Sequence, residues 1–224
     1  MATLSAMRPD EAERVQDELR TRLVLPAGRG PLPGTVVGLD VTYDTGSDRA
    51  VAAAVLVEVS SRAVLEVATA AGEVTFPYVP GLLAFREVPL LLAAIDRLSQ
   101  PPPLLICDGY GVAHPRRFGL ACHLGVLLDV PAFGVAKTAF VGTGPEPAAH
   151  RGAWSDLTDR GEVVGRRVRT RDHTKPVFVS AGHRIALADC TDLAVRLSAG
   201  FRIPEPTRQA DISSRAALRA SQNG

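Results

Sequence analysis

The chain has 224 residues, 46% of them hydrophobic and 22% charged, and its formal net charge at neutral pH is +1. The near-zero charge excludes a global basic field that would by itself indicate a polyanion partner. No uncharged apolar run approaches the roughly 18 residues of a membrane-spanning helix. The length and apolar fraction are typical of one globular α/β domain, and we take residues 1–224 as that single domain.

The cysteines and the N-terminal residues predict a cytoplasmic protein. Cys107, Cys122 and Cys190 are widely spaced, and their odd number argues against a disulfide framework. Asp10 and Glu11 stand where a signal peptide would need an apolar core. We therefore expect a reduced, cytoplasmic chain.

The first part of the chain predicts a helix followed by a sheet. A helix is predicted over residues 9–24, because Pro9 suits the first helical position and apolar residues recur four apart behind it. Three strand-like segments follow, at 35–44, 49–59 and 63–70. The short turn-prone links between these segments predict an antiparallel meander.

The second part alternates helices with strands. Residues 104–108 have the continuous apolar pattern of a strand buried on both faces. Residues 141–161, rich in Gly, Pro and Ala, are predicted to be a loop insertion. The other predicted elements are helices at 88–99, 118–129, 184–199 and 207–220 and strands at 132–137, 162–171 and 175–183. This order predicts an α/β fold with a mixed central sheet and helices on both faces.

Two carboxylates interrupt or end apolar strands. Asp40 lies in the middle of "VVGLDVTYD", where burying a carboxylate is costly unless it is paired or metal-bound. Asp108 ends the strand "LLICD", and ligands of open α/β sheets bind at such strand ends. With Glu87 before the next helix, these acids suggest a converging site for Mg²⁺ or Mn²⁺. A hydrogen-bonded structural Asp40 and a turn-forming Asp108 stay open as alternatives on these residues alone.

Two basic side chains are predicted to join these acids. His183 follows the strand "VFVS", and we expect it in the first turn of a helix capped by Ser180, where it would stay neutral. Lys137 closes the strand "AFGVA" and could neutralise a phosphate there. The structural alternatives are a hydrogen-bonded histidine and a surface lysine.

The segment "VTFPYVPGLLAFREVP" (74–89) is stiff by composition. Pro77 and Pro80 flank Tyr78, and each proline fixes its own φ and restricts the residue before it. Such a segment is poorly suited to a sheet interior, and it ends near the carboxylate of Glu87.

Long blocks of the chain resemble endonuclease V. They are "VVGLDVTYD", "PYVPGLLAFREVP", "DGYGVAHPRRFGLACHLG", "GVAK", "GEVVGRRVRTRDHTKPVFVSAGHRI" and "PEPTRQAD", spanning roughly residues 35–211. The resemblance implies an RNase H-like core and a Mg²⁺-dependent endodeoxyribonuclease, with Mn²⁺ as a substitute. It also implies recognition of deoxyinosine in DNA and hydrolysis of the second phosphodiester bond 3′ to the lesion, leaving 5′-phosphate ends and the lesion in place.

The resemblance also implies roles for individual residues. Asp40 and Asp108 match the metal-binding carboxylates, Glu87 the third catalytic acid, His183 the active-site histidine, Lys137 the active-site lysine and Tyr78 the wedge that separates the strands. Tyr110 departs from the family pattern, which more often has His or Asn there. Asp211 could be a further acid near the metal, but it is left outside this catalytic set.

A base pocket is expected between residues 78–84 and 109–114. Gly81, Gly109 and Gly111 would allow the backbone to approach a flipped base closely. His114 and Arg116 precede a helix and would clamp the DNA backbone, while Pro77 and Pro80 would hold the ring of Tyr78 outward.

Two alternatives remain open from the sequence. An RNase H-like module could grip nucleic acid without cutting it, although acids in a polyanion site are costly without metals. An inosine-specific ribonuclease would use the same chemistry on RNA. We expect a monomer that binds deaminated bases in DNA and does not bind membranes.

Overall fold

The structure, a computed structural model, describes residues 7–198 and 200–222 and is built around one eight-stranded mixed sheet. The strands are β1 (Thr35–Tyr43), β2 (Arg49–Glu58), β3 (Val64–Glu73), β4 (Leu105–Asp108), β5 (Ala132–Ala136), β6 (Trp154–Asp159), β7 (Glu162–Val168) and β8 (Val177–His183). The helices are α1 (Pro9–Arg20), α2 (Leu83–Ile95), α3 (Leu120–Leu128), α4 (Leu187–Leu197) and α5 (Glu205–Gln222).

The strand order across the sheet is β3-β2-β1-β4-β5-β8-β7-β6. β1 pairs in parallel with β4, and β4 pairs in parallel with β5. All other neighbouring pairs are antiparallel, which confirms the predicted meander and the mixed sheet. Because parallel strands end at the same side of a sheet, the C-terminal ends of β1, β4 and β5 share one border, which we call the carboxyl edge.

Helices cover both faces of the sheet, as the sequence predicts. Val37 and Leu39 of β1 face a core built with α2 and α3. Val36, on the other face of the same strand, packs in a core with α4 and α5. The period of two in β1 therefore divides the apolar residues between two cores, which is what a sheet covered on both sides requires.

All three cysteines lie in the interior of the protein. Cys107, Cys122 and Cys190 are buried free thiols. Within residues 7–198 and 200–222, no helix is long and apolar enough to cross a membrane.

The predicted start of the second helix, at residue 88, is wrong. α2 begins at Leu83 and continues through Pro89, although a proline removes one hydrogen bond from a helix interior. The reason is tertiary: Phe85 packs against Phe76 with ring centroids 5.5 Å apart, which stabilises the extra turn. Glu87 consequently lies within the helix rather than at its start.

The stretch 141–161 is not a loop throughout. Its second half contains β6, the edge strand of the sheet, which pairs with β7. The guanidinium of Arg166 lies 3.6 Å from the ring centroid of Trp154, an arrangement that stabilises this strand through a cation–π contact. The glycines and prolines earlier in the stretch are typical of a loop, so the composition did not predict this strand.

Candidate active site

Four carboxylates lie together at the carboxyl edge. Asp40 belongs to β1 and Asp108 is the last residue of β4. Glu87 reaches the edge from α2 on one face, and Asp211 reaches it from α5 on the other. All four line one open cleft with Lys137, the residue directly after β5. The structure thus brings together four of the predicted site residues and adds Asp211.

A glycine in β1 allows α5 to approach closely enough to contribute its acid. A Cβ atom at Gly38 would lie only 2.1 Å from the backbone carbonyl carbon of Pro206. On the same strand face, Asp40 accepts a hydrogen bond of 3.3 Å from the Ser214 hydroxyl of α5. Asp211 precedes Ser214 by three residues, so the helical period turns its side chain toward the same place.

Burial and mutual repulsion raise the pKa values of two of these acids. Burial raises the pKa of Asp40 to about 7, and the charges of Asp108 and Asp211 add to this effect. Burial likewise raises the pKa of Glu87 to about 8. The hydrogen bond of 3.0 Å that the Tyr43 hydroxyl donates to Glu87 opposes this rise, while the neighbouring acids add to it. Crowded carboxylates of this kind are stabilised by a cation.

Lys137 supplies a cation within the cleft. Its ammonium lies 2.6 Å from a carboxylate oxygen of Asp108. Burial opposes protonation of this lysine, but the hydrogen bond and the charge of Asp108 hold its pKa above the ordinary value. Lys137 is therefore positively charged at neutral pH and stands where a phosphate could approach it.

The donor set fits a hard divalent cation in chemical kind. All four acids offer oxygen atoms, which Mg²⁺ and Mn²⁺ prefer as ligands. Among the residues that the structure describes, no three acid, His or Cys side chains are already drawn around a single point. Asp108 instead holds the ammonium of Lys137, so a cation would share this carboxylate with the lysine.

The prediction that His183 joins these acids is wrong. His183 ends β8, which runs antiparallel to β5, and it pairs with Ala132 at the opposite border of the sheet. Its Nδ1 accepts a hydrogen bond from the backbone N–H of Val24, so in the neutral ring Nε2 carries the proton and donates to Asp129 at 3.2 Å. The residue is a buried structural histidine, the alternative that the sequence left open.

A second cavity opens beside the carboxylates, between residues 78–84 and 109–114. Its volume is about 150 Å³, at least ten times the roughly 10–15 Å³ that one water molecule needs. Gly109 lines it directly after Asp108, and Phe140 lines it three residues after Lys137. The cavity and the cleft are therefore built on the same two chain segments.

The proline-flanked tyrosine stands at the mouth of this cavity. Tyr78 is 71% exposed, although it is a large aromatic side chain, and it lines the cavity with Pro80. Gly81 has a φ of +87°, a conformation that favours glycine. His114 lies beside Gly81, and burial lowers its pKa to about 4, so the cavity wall carries a neutral imidazole.

Two residues expected to lie near DNA make contacts within the protein. The guanidinium of Arg116 lies 2.7 Å from the carboxylate of Glu13 in α1. A Cβ atom at Gly111 would lie 2.0 Å from the carbonyl oxygen of Ala181, so this glycine permits close packing on β8 rather than approach of a ligand. The packing of Gly111 differs from the sequence prediction, whereas a contact between Arg116 and DNA stays a prediction.

Sequence reasoning left one acid out of these sites and missed two further residues. Asp211 could have been included from the helical spacing of the buried residues Thr207, Ala210 and Ser214, which turns it toward the sheet. Phe140 lines the cavity from a loop and Gln16 from α1, and neither position carries a local sequence signal. Only the packing of distant segments brings them to the cavity.

Comparison with known proteins relates most of the chain to one family. The family model described as Endonuclease V matches residues 17–212. Endonuclease V of Streptomyces coelicolor is 52% identical over 98% of this chain and 97% of its own length.

Solved structures extend the comparison to the fold. The crystal structure of endonuclease V from Streptomyces avermitilis has a TM-score of 0.92 at 52% identity, covering 96% of this chain and 95% of that one. Endonuclease V of Ciona intestinalis, solved in complex with a 24mer DNA containing an inosine followed by a ribo-adenosine, has a TM-score of 0.83 at 28% identity. It covers 94% of this chain and 98% of its own.

Proposed function

Since this chain belongs to the endonuclease V family, we propose that it cuts DNA beside deoxyinosine, the product of adenine deamination. The observation that carries the proposal is the shared construction of cavity and cleft, in which Gly109 follows Asp108 and Phe140 lies near Lys137. A base held in the cavity keeps its own strand next to the carboxylates. The bond we propose to be hydrolysed is the second phosphodiester 3′ to the lesion, leaving a 5′-phosphate.

We propose Mg²⁺ as the cofactor, with Mn²⁺ as a substitute. Asp40 and Asp108 would hold it, with Asp211 and Glu87 close enough to contribute. A bound divalent cation polarises the phosphodiester and neutralises developing negative charge. The high pKa values of Asp40 and Glu87 support this assignment, because the crowding that raises them is what a cation relieves.

Lys137 and Glu87 would act directly on the phosphodiester and on the attacking water. Lys137, held by Asp108 at 2.6 Å, presents an ammonium to the nonbridging oxygens or the leaving group. Glu87 lines the same cleft and would hold a second metal ion or accept a proton from the attacking water. The hydrogen bond from Tyr43 fixes the side chain of Glu87 in this position.

Base recognition would rest on the backbone of the cavity and on a wedge. Hypoxanthine differs from adenine at N1 and at position 6, so a flipped base must be read at that edge. Residues 78–81 and 109–110 line the cavity, and backbone groups of these two segments would read that edge. Tyr78, exposed at the mouth, would enter the base step that the flipped nucleotide leaves.

The direct test is cleavage of matched oligonucleotides. We expect Mg²⁺-dependent nicking of an inosine duplex at the second phosphodiester 3′ to the lesion, and no nicking of the same duplex with adenine. Asp108→Ala should lower the rate by about 100-fold or more, because the metal and Lys137 would both lose a partner. Wild-type rates for Asp108→Ala would end the assignment of this cleft.

A second set of substrates separates DNA from RNA activity. The Ciona intestinalis protein was solved with a ribonucleotide directly after the inosine, so the sugar at that position is the variable to change. All-DNA, all-RNA and DNA with one ribonucleotide after inosine should be compared on one gel. Faster cutting of the RNA form would favour the ribonuclease alternative, and tight binding without cutting would favour the non-cleaving one.

A further inference from the structure

Lysine is almost absent from this chain, and both lysines border one groove. The sequence has 25 basic Lys and Arg residues, of which only Lys137 and Lys175 are lysines. They are far apart in sequence, yet they line the same groove of about 440 Å³ at the carboxyl edge. In a chain that otherwise uses arginine, two lysines at one place indicate a local requirement for a compact ammonium group.

The groove continues the edge of the sheet beyond the catalytic cleft. Lys137 borders both spaces, so the groove begins where the cleft ends. Its other walls come from Pro176 and Phe178 near the start of β8 and from Arg167 of β7. It therefore lies over β5, β8 and β7, whereas the carboxylates lie over β1 and β4.

Arg202 holds the two lysine-bearing segments together. Its guanidinium donates to the backbone carbonyls of Lys137 at 2.7 Å, Lys175 at 2.9 Å and Pro176 at 2.9 Å. Burial lowers the pKa of Arg202 from its very high ordinary value, but an arginine remains charged at neutral pH. Carbonyl partners do not neutralise that charge, so Arg202 adds to the positive field of the groove.

The one carboxylate lining the groove is already used. Glu146 forms ion pairs with Arg167 and Arg169. Within residues 7–198 and 200–222, Lys175 and Arg202 take part in no ion pair. The groove consequently presents net positive charge beside the carboxylates of the cleft.

We propose that this groove binds a backbone phosphate of the cleaved strand, outside the scissile bond, and that Lys175 contacts this phosphate directly. The proposal rests on the proposed function, because it assumes that the strand passes the carboxylates. Arg202 is a positioning residue that keeps Lys175 at a fixed distance from Lys137. An exposed ammonium suits this role, since it can follow a phosphate as a point charge without the planar geometry of arginine.

The test removes one charge at Lys175 and, as a matched control, one charge at a distant site. Lys175→Gln is compared with Arg62→Gln, which lies in the turn between β2 and β3 at the opposite border of the sheet. Lys175→Gln should raise KM about three- to tenfold with kcat within about twofold of wild type. Its log Kd against log salt slope should fall by about 0.9, the value for one phosphate contact.

The control variants decide whether the effect is local. Arg62→Gln should leave KM and the salt slope unchanged. Lys175→Arg should restore the salt slope, because it keeps the positive charge, but only part of the affinity, because the planar guanidinium replaces the compact ammonium. Equal behaviour of Lys175→Gln and Arg62→Gln would overturn the proposal.

Shortened substrates locate the phosphate. Wild type and Lys175→Gln are assayed on oligonucleotides truncated on the 3′ or the 5′ side of the inosine. The difference in KM between the two proteins should vanish on one of these substrates, the one that lacks the bound phosphate. A difference that survives both truncations would refute a contact with the cleaved strand.

The two proposals fail in different ways. If wild type does not cut inosine DNA at all, the proposed function is wrong. The salt slopes of wild type and Lys175→Gln for binding to the same oligonucleotides then show whether Lys175 contacts a phosphate. If wild type cuts normally while Lys175→Gln matches it in every assay, only the groove is wrong.

Discussion

Two side chains illustrate how position in the fold, rather than residue type, decides a role. His183 has the chemistry of an active-site residue but ends β8 at the border opposite the carboxylates, bound to Asp129 and to the backbone of Val24. Asp211 stands in an amphipathic helix of ordinary composition, yet it lines the cleft with Asp40. The direction of β8 places His183 away from the cleft, and the face of α5 that carries Asp211 places this acid within it.

The role of Asp211 can be tested by a neutral replacement of equal size. We expect Asp211→Asn to lower the rate of inosine DNA cleavage by about 100-fold, because one oxygen ligand and one negative charge leave the metal site. Single-turnover nicking at saturating enzyme measures the chemical step. Asp10→Asn, an exposed acid of α1, is the control and should keep the wild-type rate. A fully active Asp211→Asn protein would remove this acid from the site.

His183 should affect stability and not catalysis. His183→Ala leaves the amide of Val24 without its acceptor and removes one hydrogen bond from Asp129, which keeps its ion pair with Arg184, so we expect a loss of about 1–3 kcal/mol in the free energy of unfolding. Urea denaturation monitored by circular dichroism measures this change, and kcat on inosine DNA should stay within about twofold of wild type. A large fall in kcat with unchanged stability would contradict the structural role.

At the scale of elements, helix α1 holds together the two segments, 78–84 and 109–114, that line the cavity beside the carboxylates. Gln16 is buried, and its amide nitrogen donates to the carbonyls of Gly81 at 2.9 Å and Phe118 at 3.2 Å. Two acceptors on the same nitrogen fix the orientation of this amide. The ion pair between Glu13 and Arg116 fastens the same helix to the other side of the cavity. The N-terminal helix therefore links the two segments between which a base would enter.

Loosening this helix should weaken base selection more than cutting. Gln16→Met keeps the shape of the side chain but removes both hydrogen bonds, each of which contributes about 1 kcal/mol. We expect KM for inosine DNA to rise up to about tenfold while kcat changes little, and the preference for inosine over other deaminated bases to fall. Glu18→Gln, an exposed change on the same helix, is the control and should behave as wild type. Equal kinetics for both variants would show that the hydrogen bonds of Gln16 do not determine the shape of the cavity.

At the scale of the whole molecule, the acidic cleft lowers the stability of the metal-free protein. Folding places Asp40 and Glu87 in surroundings where their pKa values rise to about 7 and about 8. Unfolded chains release these protons near pH 4, so the folded state holds more protons between about pH 4 and pH 8. Stability from this source is present at low pH and is lost as pH rises through the folded pKa values.

This linkage can be measured with and without metal. In EDTA, the thermal midpoint should fall between about pH 5.5 and pH 8.5, by about 2–4 °C for each kcal/mol lost. Asp40→Asn should flatten this dependence, and Mg²⁺ should raise the midpoint of wild type more than that of Asp40→Asn. A midpoint that is independent of pH and of Mg²⁺ in the wild-type protein would refute this account of the cleft.

Some of the site could be predicted from local patterns. Asp40 in mid-strand, Asp108 at a strand end and the prolines around Tyr78 each carry a signal that depends only on neighbouring residues. The same holds for the meander and for the alternation of helices and strands. The patterns did not predict the start of α2 or the edge strand β6. Packing of Phe85 extends α2 despite its proline, and the stacking of Arg166 on Trp154 stabilises β6 despite the glycines and prolines before it.

The fold class, the strands that carry Asp40 and Asp108, and the stiff segment around Tyr78 could all be read from the chain alone, because they follow from periodicity and backbone restriction within a few residues. Which side chains meet depends instead on long-range packing. Because β8 runs antiparallel to β5, His183 lies at the border opposite the carboxylates. Because Gly38 has no side chain, α5 packs closely on β1 and Asp211 reaches the cleft. Hydrogen bonds from Arg202 hold the backbones of Lys137 and Lys175 close together. Contacts between segments so far apart in the chain depend on strand direction and helix packing, and no local pattern contains that information.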